Sequence, residues 1–121
     1  MAREETVRRI ANDIKQLVGR IVSHEMKDPR IGMTSVVSVD LSPDLGLARI
    51  YVSVFGDHEQ EDRTLEVLRG AQGFVRSEMG SRLDLKYVPE IQFILDRSIE
   101  RGRHIDSILR EIREGEERDR R

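Results

Sequence analysis

An α+β fold is predicted, with helices packed on one face of a three-stranded sheet. Two observations carry this. Apolar residues recur at helical spacing in some stretches and at strand spacing in others, in the order α-β-β-α-turn-α-β-α. Each helix has one apolar stripe and the strands share one clear apolar face, so two layers bury them all. A chain of 121 residues is one domain, long enough to bury a core. We assign residues 1–113 to that domain and the wholly charged end, 114–121 apart from one glycine, to a frayed tail.

The first helix is predicted over 4–26. Val7, Ile10, Ile14, Leu17, Val18, Ile21 and Val22 repeat at i, i+3, i+4 and i+7. The opposite side carries Glu5, Arg8, Arg9, Asp13, Lys15, Gln16 and Arg20. The apolar stripe reads as core, with a partner-binding amphipathic helix as the alternative. Gly19 weakens the helix by roughly 1 kcal/mol against alanine. Lys27-Asp28-Pro29-Arg30 ends it, because a residue before proline avoids helical angles.

Two strands follow. Met33, Ser35, Val37, Val39 and Leu41 alternate with Thr34, Val36, Ser38 and Asp40, which predicts a half-buried strand. Ser42-Pro43-Asp44-Leu45-Gly46 is a turn by composition. In the second strand, Leu47–Phe55, Ala48, Ile50, Val52 and Val54 face inward and Arg49, Tyr51 and Ser53 outward. The short connection makes the pair antiparallel. Tyr51 and Arg49 are either an ordinary exposed strand face or part of a stacking surface.

Gly56–Asp62 is predicted as a polar, acidic loop, with Thr64 or Asp62 capping the next helix. That helix carries Leu65, Leu68 and Ala71 on one side. It breaks at Gly70-Ala71-Gln72-Gly73, where glycines permit backbone angles that other residues resist. Phe74, Val75, Met79 and Leu83 form the apolar face of a further helix ending near Arg82–Leu85. Ile91, Phe93 and Leu95 share a face of the third strand, Glu90–Leu95. A last helix begins at Asp96-Arg97-Ser98 and carries Ile99, Ile105, Ile108, Leu109 and Ile112.

The search for chemistry comes out nearly empty. There is no cysteine, which excludes disulfides, thiolate metal sites and cysteine nucleophiles. No phosphate-loop, nucleophile-elbow or dinucleotide fingerprint occurs. His24, His58 and His104 match no metal-ligand spacing, and no nucleophile has a base beside it. We therefore expect no enzyme, no metal and no cofactor. No apolar run reaches the length of a membrane span, and the charged start MAREETVRRI lacks a signal core, so a cytoplasmic protein is expected.

The basic side chains are the better lead. The net charge of −2 is unlike that of most nucleic-acid-binding domains, but its distribution is uneven. Residues 42–66 carry two basic and six acidic side chains, whereas 67–110 carry eight and six, which leaves a local face able to take phosphate. Arg69, Arg76, Arg82 and Lys86 run through the turn–helix region. Arg97, Arg101 and Arg103 lie around the start of the last helix, and Lys27 and Arg30 flank Pro29. Singly, each such side chain serves solubility as readily as binding. Grouped around Gly70, Ala71, Gln72 and Gly73, they suggest the backbone-clamping G-x-x-G turn of RNA-binding KH domains.

Three blocks carry a more specific resemblance: KDPRIGMTSVVSVDLSPDLGLARIYVSV (27–54), the Ala71-Gln72-Gly73 kink followed by FVRSEMG, and VPEIQFILDRSIERG (88–102). Over roughly Glu4 to Ile112 the chain resembles the ribosome-binding factor A family of bacterial small-subunit assembly factors. The resemblance implies a type II KH-like fold in which an Ala-x-Gly kink replaces the usual G-x-x-G loop. Gly70 adds a literal G-x-x-G here. It further implies a non-enzymatic role: binding the immature small ribosomal subunit and its ribosomal RNA near the 5′ end region, assisting late maturation and rRNA processing, a link to growth in the cold, and release when a partner GTPase acts. By analogy, Arg69, Gln72, Arg76, Arg82 and Lys86 would meet RNA from one side of a groove beside the third strand, and Arg97, Arg101 and Arg103 from the other. The tail is less basic than is usual in the family, which puts weight on the domain itself. A monomer is expected. The alternative is a KH-like protein-interaction module that does not bind RNA directly, using the acidic 57–66 stretch or the first helix.

Overall fold

The apolar stripe of the first helix does what its spacing predicts. In the computed structural model, which describes residues 3–97, helix α1 spans Glu4–Arg20 and buries Ile14, Leu17 and Val18. The predicted last helix, Arg101, Arg103 and the tail at 114–121 lie outside the described residues. Past Arg20 the helix widens into one π turn, Ile21–Glu25, where the Met26 N–H donates to the Ile21 carbonyl at 2.8 Å. The extra residue keeps Ile21 and Val22 in the core as the helix ends. Met26 is already extended, three residues before Pro29.

Strands β1 (Thr34–Leu41), β2 (Leu47–Val54) and β3 (Glu90–Leu95) form one sheet in the order β1-β2-β3. β1 and β2 are antiparallel; β2 and β3 are parallel. A parallel neighbour needs a long crossover, and helices α2 (His58–Gly70) and α3 (Gln72–Arg82) supply it. Among the described residues, all three helices pack on one face of the sheet, as predicted. Ala48, Ile50 and Val52 of β2 and Ile91 and Phe93 of β3 meet Leu68, Val75 and Met79 in a single core. The opposite face carries Asp40, Arg49, Tyr51 and Gln92, with Arg49 and Asp40 paired at 3.7 Å.

Four expectations need correction. The alternation in β1 does not run unbroken, because a bulge between Val36 and Ser38 inserts one residue. Thr34 and Val36 face the core before it, and Val39 and Leu41 after it. Met33 is therefore 80% exposed and Val37 also points out. Two adjacent valines hide such a change of phase from the sequence. The capping residue of α2 is Asp57, whose Oδ1 accepts from the Gln60 N–H at 2.9 Å. The acidic stretch after it is thus helix rather than loop: Glu59, exposed, and Glu61, largely covered, sit on its first turn, where the helix dipole favours them. Finally, Phe74 is 50% exposed, while Val75 and Met79 alone hold the buried face of α3.

Thr64, one of the two predicted caps, instead lies inside α2 with no exposed surface. Its Oγ1 accepts from the Gly32 N–H at 3.1 Å, and the Thr34 hydroxyl donates to the Gly32 carbonyl at 2.8 Å. These two bonds tie the entry of β1 to the middle of α2. Thr64→Val keeps the side-chain shape but leaves the Gly32 N–H without a partner. It is expected to lower stability by about 1–3 kcal/mol, read from the urea unfolding midpoint at unchanged m-value.

Candidate nucleic-acid interface

A single residue joins α2 to α3. Ala71 takes φ −96° and ψ 7°, and its N–H is shared between the carbonyls of Val67 and Leu68, each at 3.1 Å. Gly70 and Gly73 stay in helical backbone, and among the described glycines only Gly56 has positive φ. The kink therefore does not use glycine's freedom of angle, contrary to the sequence expectation. It uses the missing side chains. A Cβ placed on Gly70 or Gly73 would meet nothing within 4 Å, so both positions leave bare backbone facing solvent. No side chain caps the start of α3 and no acidic residue occupies its first turn. The positive end of the helix dipole is thus open to an anion beside that bare backbone.

The predicted basic residues fall into two groups. Arg69, in the last turn of α2, is exposed and makes no ion pair or side-chain hydrogen bond among the described residues. Lys27 is likewise exposed and unpaired among them, and Lys86 lies over the Tyr87 ring, 5.6 Å from its centre. The others are engaged. Arg76 donates from Nε to the Pro89 carbonyl and from Nη2 to the Val88 carbonyl, both at 2.9 Å, with Glu90 at 3.5 Å. It fastens α3 to the lead-in of β3. Arg82 holds Glu78 at 2.9 Å and grips both oxygens of Glu25, which links the end of α3 to the π turn. That hydrogen bond holds the Glu25 carboxyl below its usual range and raises the Arg82 guanidinium further. Arg30 is paired with Asp28, whose carboxyl its side-chain and backbone hydrogen bonds lower to about 2.

Arg97 lies against the first turn of α2, 3.4 Å from both Glu61 and His58. Along the helix, Glu61 and His58 lie about 15 and 20 Å from Ala71 at the kink. Arg82 closes the far end of α3, about 15 Å from Gln72. The residues brought together at the kink are thus Arg69, Gly70, Ala71, Gln72 and Gly73. Two exposed aromatics were not singled out from the sequence, one at the kink and one past the far end of α3. Phe74, beside Gly73, is half-exposed where periodicity placed it in the core, and Tyr87 is 72% exposed beside Lys86. A signal for Phe74 existed: Val75, Met79 and Leu83 form a strict i, i+4, i+8 line that leaves Phe74 to one side. Exposed rings next to cations and open backbone are what unstacked bases pack on.

A profile of the family described as Ribosome-binding factor A matches residues 6–109. The chain belongs to the ribosome-binding factor A family. A ribosome-binding factor A from Desulfitobacterium hafniense is 48% identical over 111 residues, covering 92% of this chain and 89% of that relative. The solution structure of a Thermotoga maritima protein described as a candidate ribosome binding factor A superposes with a TM-score of 0.68 at 31% identity, over 83% of this chain and 95% of the other. Thermus thermophilus ribosome-binding factor A coordinates, fitted into a cryo-EM map of its complex with the 30S subunit, superpose with a TM-score of 0.61 at 23% identity, over 72% and 91% of the two chains. The KH-like arrangement of ribosome-binding factor A is thus the fold of this chain, with Ala71-Gln72-Gly73 at its kink.

Two outcomes follow from the geometry. Gly73→Ala puts a methyl into open space on a helical backbone, so it is expected to raise stability by about 0.5–1 kcal/mol in urea unfolding. Arg76→Ala strips the Val88 and Pro89 carbonyls of their donor and is expected to cost about 1–3 kcal/mol in the same measurement.

Proposed function

We propose that this chain binds the immature small ribosomal subunit and its ribosomal RNA, and assists late maturation and rRNA processing. It acts by binding rather than by catalysis, as a cytoplasmic monomer folded over residues 1–113. A ribosome-assembly GTPase releases it. The observation that carries the RNA contact is the kink: uncapped, with no acidic residue in the first turn of α3, bare backbone at Gly70 and Gly73, and Arg69 facing outward beside it. Phosphate meets the start of α3 and Arg69, and a splayed base stacks on Phe74. Lys27 and Lys86 add charge from the flanking loops. Arg30, Arg76, Arg82 and Arg97, with charges partly committed elsewhere, add to the electrostatic attraction rather than clamp RNA directly, and Arg101 and Arg103 are further candidate contacts. Family membership supports this reading, as does the 30S complex of the Thermus thermophilus relative.

The test is co-sedimentation of the purified protein with small and large ribosomal subunits across a salt series. Selective pelleting with the small subunit is expected, weakening steeply as salt rises. Arg69→Glu is expected to weaken it roughly tenfold and to lower the salt slope by about one. Gly73→Leu, which folds because its site is open, is expected to weaken binding by covering the backbone. Pelleting that survives high salt and ribonuclease would instead favour the protein-interaction module and overturn direct RNA contact.

A further inference from the structure

The outward side of α1 has a second feature that the kink does not use. Beside β1 it forms a shallow groove of about 520 Å³. Lys15, Gln16, Arg20, Ser23 and His24 line it from the helix side, and Ser35 from the strand. Its depth comes from Gly19, where an added Cβ would meet only Val36, at 4.0 Å. No carboxylate lines the groove. Lys15 and Arg20 make no ion pair among the described residues. The acid that acts on Arg20 and His24 through space is Glu25, and both of its oxygens are held by Arg82.

We propose that this groove is a second RNA site, which takes the phosphodiester backbone without reading bases. The inference rests on the ribosomal RNA reading above. Charge sets the class of ligand: the lining is cationic and hydroxyl-bearing, with nothing to repel a phosphate. Lys15 and Arg20 are five residues apart, a rise of about 7.5 Å along α1, so the two side chains reach neighbouring phosphates of one strand. Ser23 and Ser35 supply hydroxyl donors between them. No Phe, Tyr or Trp lines the groove, so stacking on a large ring is left to the kink. β1 pairs only with β2 among the described residues, which leaves its outer edge along this groove. The bulge at Val36/Ser38 interrupts that edge and disfavours addition of a partner strand, so nucleic acid fits better than an extended peptide.

The experiment compares the full chain with Lys15→Glu/Arg20→Glu, Gly19→Gln and Arg69→Glu. The probes are purified small ribosomal subunits and, separately, naked small-subunit ribosomal RNA, each across a salt series. Circular dichroism verifies folding. The charge-reversed pair is expected to weaken binding to both probes at least tenfold and to lower the salt slope by about two. Gly19→Gln, which changes no charge but fills the groove floor, is expected to weaken it in the same direction. Wild-type binding with an unaltered affinity and slope in both groove variants would overturn the second site and leave the proposed function standing. Failure of the wild-type chain to bind either probe would overturn both.

Discussion

The parallel pairing of β3 with β2 is the constraint from which the rest of the architecture follows. A parallel strand must start at the same end of the sheet as its neighbour, so the chain leaving β2 has to return before β3 begins. Residues 58–82 make that return. As one straight helix they would reach about 37 Å, well beyond the roughly 26 Å of an eight-residue strand. The bend at Ala71 lets both halves lie on the sheet, with Leu68 buried from one side and Val75 and Met79 from the other. The kink is thus a packing necessity before it is a binding device. Bare glycines on either side of the bend turn a corner of the fold into exposed backbone.

Internal pairing then decides which cations face outward. Arg76 is drawn onto the carbonyls of Val88 and Pro89, because the lead-in to β3 needs donors that its own backbone cannot supply. Arg82 is drawn onto Glu25 and Glu78, where it closes α3 against the π turn. Arg30 is held by Asp28 two residues away. Lys15, Arg20, Lys27 and Arg69 are left without such ties among the described residues. A chain of net charge −2 can in this way present cationic surfaces, since acids such as Glu25, Asp28 and Glu78 are paired and others gather on the first turn of α2.

Much of this was legible in advance. The first helix, the hairpin, the third strand and the two-layer packing follow from period alone, because a buried stripe must repeat at 3.6 residues and a buried strand face at two. The position of the kink and Arg69 beside it were readable too. Less readable were the features that depend on contacts distant in sequence. Thr64 looks like a cap until Gly32 is placed against it. The bulge in β1 is invisible where two valines adjoin. Phe74 looks like core until the angle of α3 turns it outward.

The sequence by itself determined the order of elements, the family, the break at Gly70–Gly73 and the absence of cysteine chemistry, because each is a property of residue type and spacing along the chain. The tertiary structure alone decided which arginines serve the fold and which face solvent, that the glycines act through missing side chains rather than unusual angles, and that α1 and β1 enclose a cationic groove. Those depend on which atoms from separate elements come within hydrogen-bond distance, and residue spacing along one element carries no information about that.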